Sequence, residues 1–373
     1  MKPDRSLDDA PRAPRARRLA LFALLLLAAG CLNPPPARVD AAFGEVRAAT
    51  PEEAMTYAAR AESLHDRLLD VVPDTTTREA SVWVFSDEEF YERFGELGLA
   101  GRATWDTLGW STRIEVAAST FDAFVAHEWV HVMLGPSWDP LPGAIEEGLA
   151  NEAAFRVAGP SARDELRLGY LRAALSKDQL EETLSFIGPK GKRETMWLMR
   201  MGGRELESPR TLDELLSQPG SRAAGHVASA KGLQVYGVGT LLVEAIVARS
   251  GGSFARLHAA CVNHEGEGLL TTQTLLALGG FGSAAEFDAW LDQEFAAEAA
   301  RRFFSDPESI ATWIDHIEGR FDRTFDAQSF LDLQPAYVLE ERDPVPLSER
   351  PDLRQLVITN WPAREPRDEG SRD

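Results

Sequence analysis

Apolar and polar positions alternate along the chain in blocks that predict a mixture of helices and strands. Residues 51–70 carry apolar side chains at helical spacing, with Thr50 placed to cap the helix and a proline suited to its first position. Residues 80–85 form a short β-rich run, and residues 100–118 predict two strands joined by a turn near residues 106–109. The first third of the chain is therefore expected to supply the strands of a small sheet.

Three later stretches have the strongest helical character. They cover residues 119–134, 143–159 and 233–249. Ser119 is predicted to cap the first stretch, with Asp122 three residues later completing a start like a capping box. Gly135, followed by a proline, is predicted to end it. Because most of its remaining side chains are apolar, we expect this helix to be pressed into the core.

The first of these helices carries the pentad His127-Glu128-Trp129-Val130-His131, an H-E-x-x-H pattern. Residues four apart share one face of a helix, so the two imidazoles can point at one position. Zinc favours two such nitrogens together with a carboxylate, and it leaves its fourth position to water. Glu128 is then placed to take a proton from that water. The alternative is a helix with two solvated histidines and an unrelated acid.

A third ligand has to come from elsewhere in the chain. The metzincin pattern would place a glycine and a third histidine after the pentad, but Leu134 and Ser137 stand at those positions. The next helix offers three acidic residues instead: Glu146, Glu147 and Glu152. An acid that does not bind metal could hold the tautomer of a ligating histidine, or could simply be surface charge.

The segment Ile145 to Ala150 resembles the W-L-x-E-G-x-A signature of gluzincin-like zinc metallopeptidases. The order of predicted helices and strands along the chain is also similar to that of bacterial peptidase-MA-like domains. The resemblance covers residues 50–300. It implies an α+β, zincin-like fold, in which a small mixed sheet packs on the HExxH active-site helix and a mainly helical subdomain follows. It also implies that Glu147, directly before the glycine, is the third zinc ligand, with Glu152 and Glu146 as alternatives.

The same resemblance implies further roles near the metal. Tyr236, on the later apolar helix, matches a tyrosine that can stabilise the oxyanion, although a tyrosine on such a helix is often a core residue. His226 and His264 are weaker candidates for that task. The strand Thr112 to Val116 is expected to be the edge along which an extended substrate lies. An aminopeptidase G-x-M-x-N motif is absent from residues 100–126, which favours an endopeptidase.

The N-terminal residues have a different character. The basic residues Arg12, Arg15, Arg17 and Arg18 precede the apolar run Leu19 to Gly30, which has the length of a signal-peptide core and is too short to span a bilayer as a mature helix. The run ends at Cys31 in a sequence that resembles a bacterial lipobox, so Cys31 is predicted to be lipidated. The alternatives are an ordinary cleaved signal or a short anchor that is retained.

These patterns predict four parts of the chain. They are a signal peptide over residues 1–30, an extended linker over residues 31–49, a zincin-like metallopeptidase domain over residues 50–300, and a helical extension with a polar tail over residues 301–373. Within the third part, residues 160–230 are expected to form polar helices and loops.

Composition limits the class of protein. Hydrophobic residues make up 44% of the chain and charged residues 26%, which are ordinary values for a globular protein. The net charge of −20 argues against a nucleic-acid partner. If Cys31 is lipidated, only Cys261 remains, and no disulfide within the chain is expected.

The prediction is an exported zinc metallopeptidase that cuts peptides or proteins and is held at the membrane of a bacterial cell envelope by its N-terminal lipid. The metal would be Zn²⁺, held by His127, His131 and Glu147, and Glu128 would activate its bound water. Two alternatives remain at this point: a zinc hydrolase that acts on cell-wall amides, and a non-catalytic lipoprotein scaffold that keeps the fold.

Overall fold

The computed structural model describes residues 34–76, 79–94, 101–105, 112–159, part of 167–175, 180–188, 190–201, 211–220, 233–305, 307–339 and 345–363. The predicted signal peptide, the lipidation site Cys31 and the candidate His226 lie outside these residues. No helix among the described residues is both long and apolar enough to cross a membrane.

A five-stranded mixed sheet forms the N-terminal part of the fold. Its strands are β1 (Ala37–Ala41), β2 (Gly44–Ala48), β3 (Ala80–Phe85), β4 (Gly101–Trp105) and β5 (Thr112–Ala117). The spatial order is β1-β2-β3-β5-β4. Strands β2, β3 and β5 are parallel, while β1 and β4 are antiparallel strands at the two edges. The fold is α+β, as the sequence predicts.

The prediction that residues 31–49 form an extended linker is wrong for residues 37–48, which make up the hairpin of β1 and β2. Val46 is fully buried against the core, so the hairpin is an integral part of the sheet. Gly44 has a φ of +140°, and a Cβ there would clash with the carbonyl of Ala80. The turn therefore needs glycine where the hairpin meets β3.

One face of the sheet carries buried valine and isoleucine side chains. This face packs against two helices, α1 (Pro51–Val71) and α3 (Phe121–Met133). A shorter helix, α2 (Asp87–Phe94), packs near β3 and β5. The start of α1 is as predicted. Thr50 accepts a hydrogen bond from the backbone of Glu53, and the Glu53 side chain accepts one from the backbone of Thr50. This capping box satisfies two backbone donors that the first turn would otherwise leave without a partner.

The predicted cap of α3 is wrong. Ser119 lies within a 3₁₀ turn, and α3 begins only at Phe121 without a side-chain cap. The backbone N–H of Ser119 donates instead to Asp87, at 3.0 Å. Asp122 forms an ion pair with Arg60 of α1, at 3.0 Å. Tertiary partners on neighbouring elements have therefore replaced the local cap.

The helix α4 (Gly143–Ala158) follows α3 after a short 3₁₀ turn at Pro136–Trp138. Almost every residue of α4 is buried, including its three acids. It packs against α3 on one side and on the long apolar helix α6 (Leu233–Arg249) on the other. A helix that is buried all round and still carries acids needs a specific partner for each of them.

The remaining described residues form helices and a second sheet. The helices are α5 (Leu212–Leu215), α7 (Ala255–Val262), α8 (Thr272–Gly279), α9 (Ala284–Phe304), α10 (Pro307–Phe321), α11 (Ala327–Leu331) and α12 (Pro351–Thr359). The strands are β6 (Leu180–Ile187), β7 (Arg193–Met201), β8 (Ala336–Leu339) and β9 (Val345–Pro346), in the order β7-β6-β8-β9.

Two predictions fail in this part. Residues 180–187 and 193–201 are strands of an antiparallel hairpin, where polar helices and loops were expected. The helix α9 runs across the boundary predicted at residue 300. Strand β8, from the predicted tail, pairs with β6. Because that pairing is long-range, local sequence patterns could not reveal it.

Candidate metal centre

His127 and His131 on α3 and Glu147 on α4 point their side chains at one position. The two Nε2 atoms are 3.3 Å apart. Glu147 Oε2 lies 3.3 Å from His127 Nε2 and 3.5 Å from His131 Nε2. The three donor atoms form a nearly equilateral triangle, and this group could hold a metal ion.

Charge within this group is strongly coupled. Burial alone would raise the pKa of the Glu147 carboxyl, but the two imidazoles outweigh it and hold that pKa well below its usual range. Burial likewise opposes protonation of His131, yet Glu147 and Glu146 raise the pKa of its imidazole well above the ordinary value of 6.5. The carboxylates therefore favour positive charge on His131, and the imidazoles favour negative charge on Glu147.

Glu146 contacts the second ring nitrogen of His131, Nδ1. Its Oε1 lies 2.6 Å from His131 Nδ1, and its side chain is only 3% exposed. When Nδ1–H donates to this carboxylate, Nε2 keeps its lone pair for the position shared with Glu147. Glu146 packs against Gly220, where a Cβ would clash with the carboxylate.

The three acids of α4 thus have different positions. Glu147 faces both histidines, and Glu146 bonds the outer nitrogen of one of them. Glu152 pairs instead with Arg156 one turn further along α4, with 3.2 Å between Oε1 and Nε. Glu152 is not part of the group that could hold a metal.

The glycine after Glu147 lets a second helix lie directly on α4. A Cβ on Gly148 would overlap the main chain of Gly239 in α6, and a Cβ on Gly239 would overlap the carbonyl of Ala144. Beside this crossing, Asn151 donates a buried hydrogen bond of 2.8 Å to Thr240. The close approach of the two backbones sets how α6 lies on α4, the helix that carries Glu147.

The phenol of Tyr236, near the start of α6, interacts electrostatically with the carboxylates of the site. Burial is the main reason why the pKa of its phenol is raised above the usual range, and the carboxylates of Glu147 and Glu128 add to the effect. Tyr170 is a second phenol of this kind. Burial, followed by Glu147, raises its pKa to about 12. The sequence did not single out Tyr170, because it lies in a stretch without a clear pattern.

The Glu128 carboxyl group interacts with the candidate metal ligands and with strand β4. Burial is the main cause that raises the pKa of its carboxyl; Glu147 adds to this, while His127 and His131 oppose it. The carboxylate accepts a hydrogen bond from the backbone N–H of Ala103 in β4. This bond ties the residue next to the first histidine to an edge strand.

The predicted substrate edge needs a correction. Residues 112–117 form β5, which lies between β3 and β4 and is hydrogen-bonded on both sides. Among the described strands, β4 is the edge strand on the side of Glu128. The hairpin itself was predicted, but which of its strands would be the outer one depends on the parallel pairing of β5 with β3.

The other candidate histidine is not in the group. His264 lies two residues beyond the end of α7, and its buried Nε2 has no hydrogen-bond partner among the described residues.

Comparison with known proteins assigns no family. The sequence matches no protein-family model, and a search of curated proteins returns no similar chain. Among the described residues, His127, His131 and Glu147 form the one group of three side chains with the spacing of metal ligands. The chemistry of the site therefore has to be argued from its geometry.

Proposed function

We propose that this protein is a zinc-dependent peptidase of gluzincin type, with an endopeptidase as the favoured form. The observation that carries the proposal is the triangle of donor atoms, with edges of 3.3, 3.3 and 3.5 Å. Three ligands of a tetrahedral zinc ion, at bond lengths of about 2.0–2.1 Å, lie about 3.3–3.4 Å apart. Two imidazoles and one carboxylate are also the donor set typical of catalytic zinc in peptidases.

The surroundings of the triangle suit a catalytic centre better than a closed structural one. Three protein ligands leave the fourth tetrahedral position open, whereas structural zinc sites use four. The side chains of His127, His131 and Glu147 keep 12%, 8% and 11% of their surface exposed, so each of the three side chains still reaches solvent in part. A bound zinc ion would supply Lewis acidity, which polarises a carbonyl and makes water a better nucleophile at neutral pH.

The remaining steps fall to residues of the chain. Glu128 lies beside the first ligand, and the backbone N–H of Ala103 favours the charged form of its carboxyl group. We assign Glu128 the transfer of a proton from the attacking water to the leaving amine. Tyr236 is proposed as the hydrogen-bond donor to the oxyanion, because its raised pKa keeps the phenol protonated.

An extended peptide is the substrate that the edge of the sheet would accept. In an antiparallel pair, alternate residues turn their backbone groups away from the partner strand. Ala103 presents its N–H to Glu128 and therefore away from β5, so its neighbours in the same phase along β4 also face the open edge. A peptide added to this edge would run past Glu128.

Export and lipid anchoring remain proposals from the N-terminal sequence. The apolar run of residues 19–30 and the lipobox-like segment before Cys31 support a lipid-anchored protein of the bacterial cell envelope. Labelling with a radioactive fatty acid, compared between the wild type and Cys31→Ser, would test this independently of the metal site.

The proposed activity is tested by zinc analysis and peptide cleavage. We expect the wild type to bind one zinc ion per chain and to cut an unstructured protein such as casein. Glu128→Gln should keep the zinc and lower kcat by about 10²–10⁴-fold, since it removes the proton carrier alone. Glu88→Gln, an exposed acid on α2, is the matched control and should behave as the wild type. A wild type without zinc, or a fully active Glu128→Gln, would refute the proposal.

A further inference from the structure

The two histidines belong to one helix, while Glu147 belongs to the next. The spacing of His127 and His131 is set by α3 alone, at one helical turn. The position of Glu147 depends on residues 134–142, here called the connector, and on how they hold α4 against α3. Whatever fixes the connector therefore controls how well the third donor meets the other two.

A loop that is distant in sequence makes hydrogen bonds to the first half of the connector. Residues 73–76, here called the clamp loop, follow directly after α1. Thr76 donates its backbone N–H to the last carbonyl of α3, that of Met133, at 2.6 Å. The indole of Trp138 donates to the carbonyl of Pro73 at 2.8 Å, and Trp138 itself is 2% exposed. The clamp loop thus holds both the end of α3 and the 3₁₀ turn after it.

Asp74 makes the central contacts of the clamp loop. Its carbonyl accepts from the backbone N–H of Gly135 at 2.8 Å. Its Oδ2 accepts from the backbone N–H of Ser137 at 3.2 Å and also from the Ser137 hydroxyl. His258 Nε2, from α7, lies 2.8 Å from the same hydroxyl oxygen. Because that hydroxyl donates to Asp74, His258 has to donate to Ser137, so the three side chains form one directed chain.

The local backbone is built for this contact. Asp74 has a φ of +49°, a left-handed conformation that aspartate and asparagine tolerate better than most residues. Opposite it stands Gly135, where a Cβ would clash with both the carbonyl and the carboxylate of Asp74. The identities of both residues follow from one close approach, which marks a specified contact between the clamp loop and the connector.

We propose that Asp74 is a positioning residue of the metal centre, which keeps Glu147 within ligand distance of the two histidines by fixing the connector. This inference rests on the proposed metal site. Asp74 touches neither ligand nor substrate, and it acts only through the connector. Its loss should therefore loosen Glu147 while leaving the pair of histidines in place.

The test compares zinc binding with stability in three variants. Asp74→Gly keeps the left-handed backbone accessible and removes the carboxylate. Asp74→Asn is the conservative rescue, since it keeps a side-chain acceptor. Asp326→Ala is the matched control, because it also removes an exposed aspartate that accepts a backbone hydrogen bond, from Ser329 at 2.7 Å in the cap of α11. Zinc affinity is measured against a chelating indicator, zinc release by stopped flow, and the stability of the metal-free protein by urea unfolding.

We expect zinc to bind about tenfold more weakly to Asp74→Gly, the lower end of the loss seen when outer partners of metal ligands are removed, and to be released correspondingly faster. Asp74→Asn should stay within about threefold of the wild type, which corresponds to less than one hydrogen bond. Asp326→Ala should lose stability and keep the zinc affinity of the wild type.

Three outcomes would overturn the inference, and the first two tell its failure apart from that of the proposed function. If Asp74→Gly loses stability but binds zinc as tightly as the wild type, Asp74 is merely structural and the peptidase proposal still stands. If the wild type binds no zinc, both proposals fall. If Asp74→Gly does not fold, Ser137→Ala serves as the second variant, because it removes only the hydroxyl that links Asp74 to His258. An unchanged rate of zinc release in Ser137→Ala would overturn the inference.

Discussion

Replacement of Glu146 by glutamine isolates the charge behind His131. The carboxylate lies 2.6 Å from Nδ1 and is almost fully buried, so the bond is a short, charge-assisted one. Glutamine has the same length and still offers an oxygen acceptor, and it fits beside Gly220, where the carboxylate packs. The variant therefore removes the negative charge and keeps the shape.

The size of the effect follows from this bond. Hydrogen bonds to charged groups contribute about 1.5–3 kcal/mol, and neutral ones about 1 kcal/mol. Their difference, about 0.5–2 kcal/mol, corresponds to a zinc affinity lower by about 2–30-fold. Glu146→Ala also removes the acceptor and leaves Nδ1–H buried without a partner, so its loss should reach about 10–100-fold.

The assay is competition for zinc between the protein and a chelating indicator at fixed pH. Glu152→Gln is the control, since it changes another buried acid of the same helix, one that pairs with Arg156 one turn further along α4. It should lower the stability of the metal-free protein and leave zinc affinity unchanged. Equal zinc affinity in the wild type and in both Glu146 variants would refute the role assigned to Glu146.

Three further predictions concern packing, catalysis and protons. Gly148→Ala should destabilise the metal-free protein by about 1–3 kcal/mol in urea unfolding, because the methyl group meets the backbone of α6. The control is Gly319→Ala, at a helical position with open space, which should be neutral or stabilising by up to about 1 kcal/mol. Equal changes in stability for the two variants would contradict the close approach of α4 and α6. Tyr236→Phe should lower kcat by about 10²–10³-fold at unchanged zinc affinity, the loss of one oxyanion donor, and unchanged kcat would exclude that role. Zinc binding at pH 7 should release about one proton, because Glu147 and Glu146 raise the pKa of His131 despite its burial. The proton release should vanish as the pH rises above that pKa. Calorimetry in buffers of different ionisation enthalpy measures the number of protons released, and a value of zero at pH 7 would contradict the prediction.

The core of the site could be predicted because it depends on local geometry. His127, Glu128 and His131 lie on one helix, and the helical repeat alone sets how they face each other. Glu147 could be named only by resemblance to a signature. Which acid of α4 faces the histidines depends on the rotation of α4 about its axis, and the close packing of α6 on α4 contributes to that rotation.

The parts that could not be predicted depend on contacts between distant segments. Glu146 became the partner of His131 through the path of the connector, and Tyr170 gained its place by lying against Gly237 of α6. The hairpin of β1 and β2 is short and follows a proline run, so its alternation was hidden. Ser119 had the composition of a cap, but Asp87 supplied a competing partner for its backbone.

The pairing of β8 with β6 has a practical consequence for anyone who shortens the chain. A protein cut after residue 300 would keep every residue of the metal centre and would look complete from its motifs. It would also lose β8 and leave the backbone groups of β6 exposed along one side. Such an uncovered strand is a template for pairing with another copy, so the shortened protein should aggregate. Inactivity of that fragment would then report on its solubility, and it would say nothing about zinc.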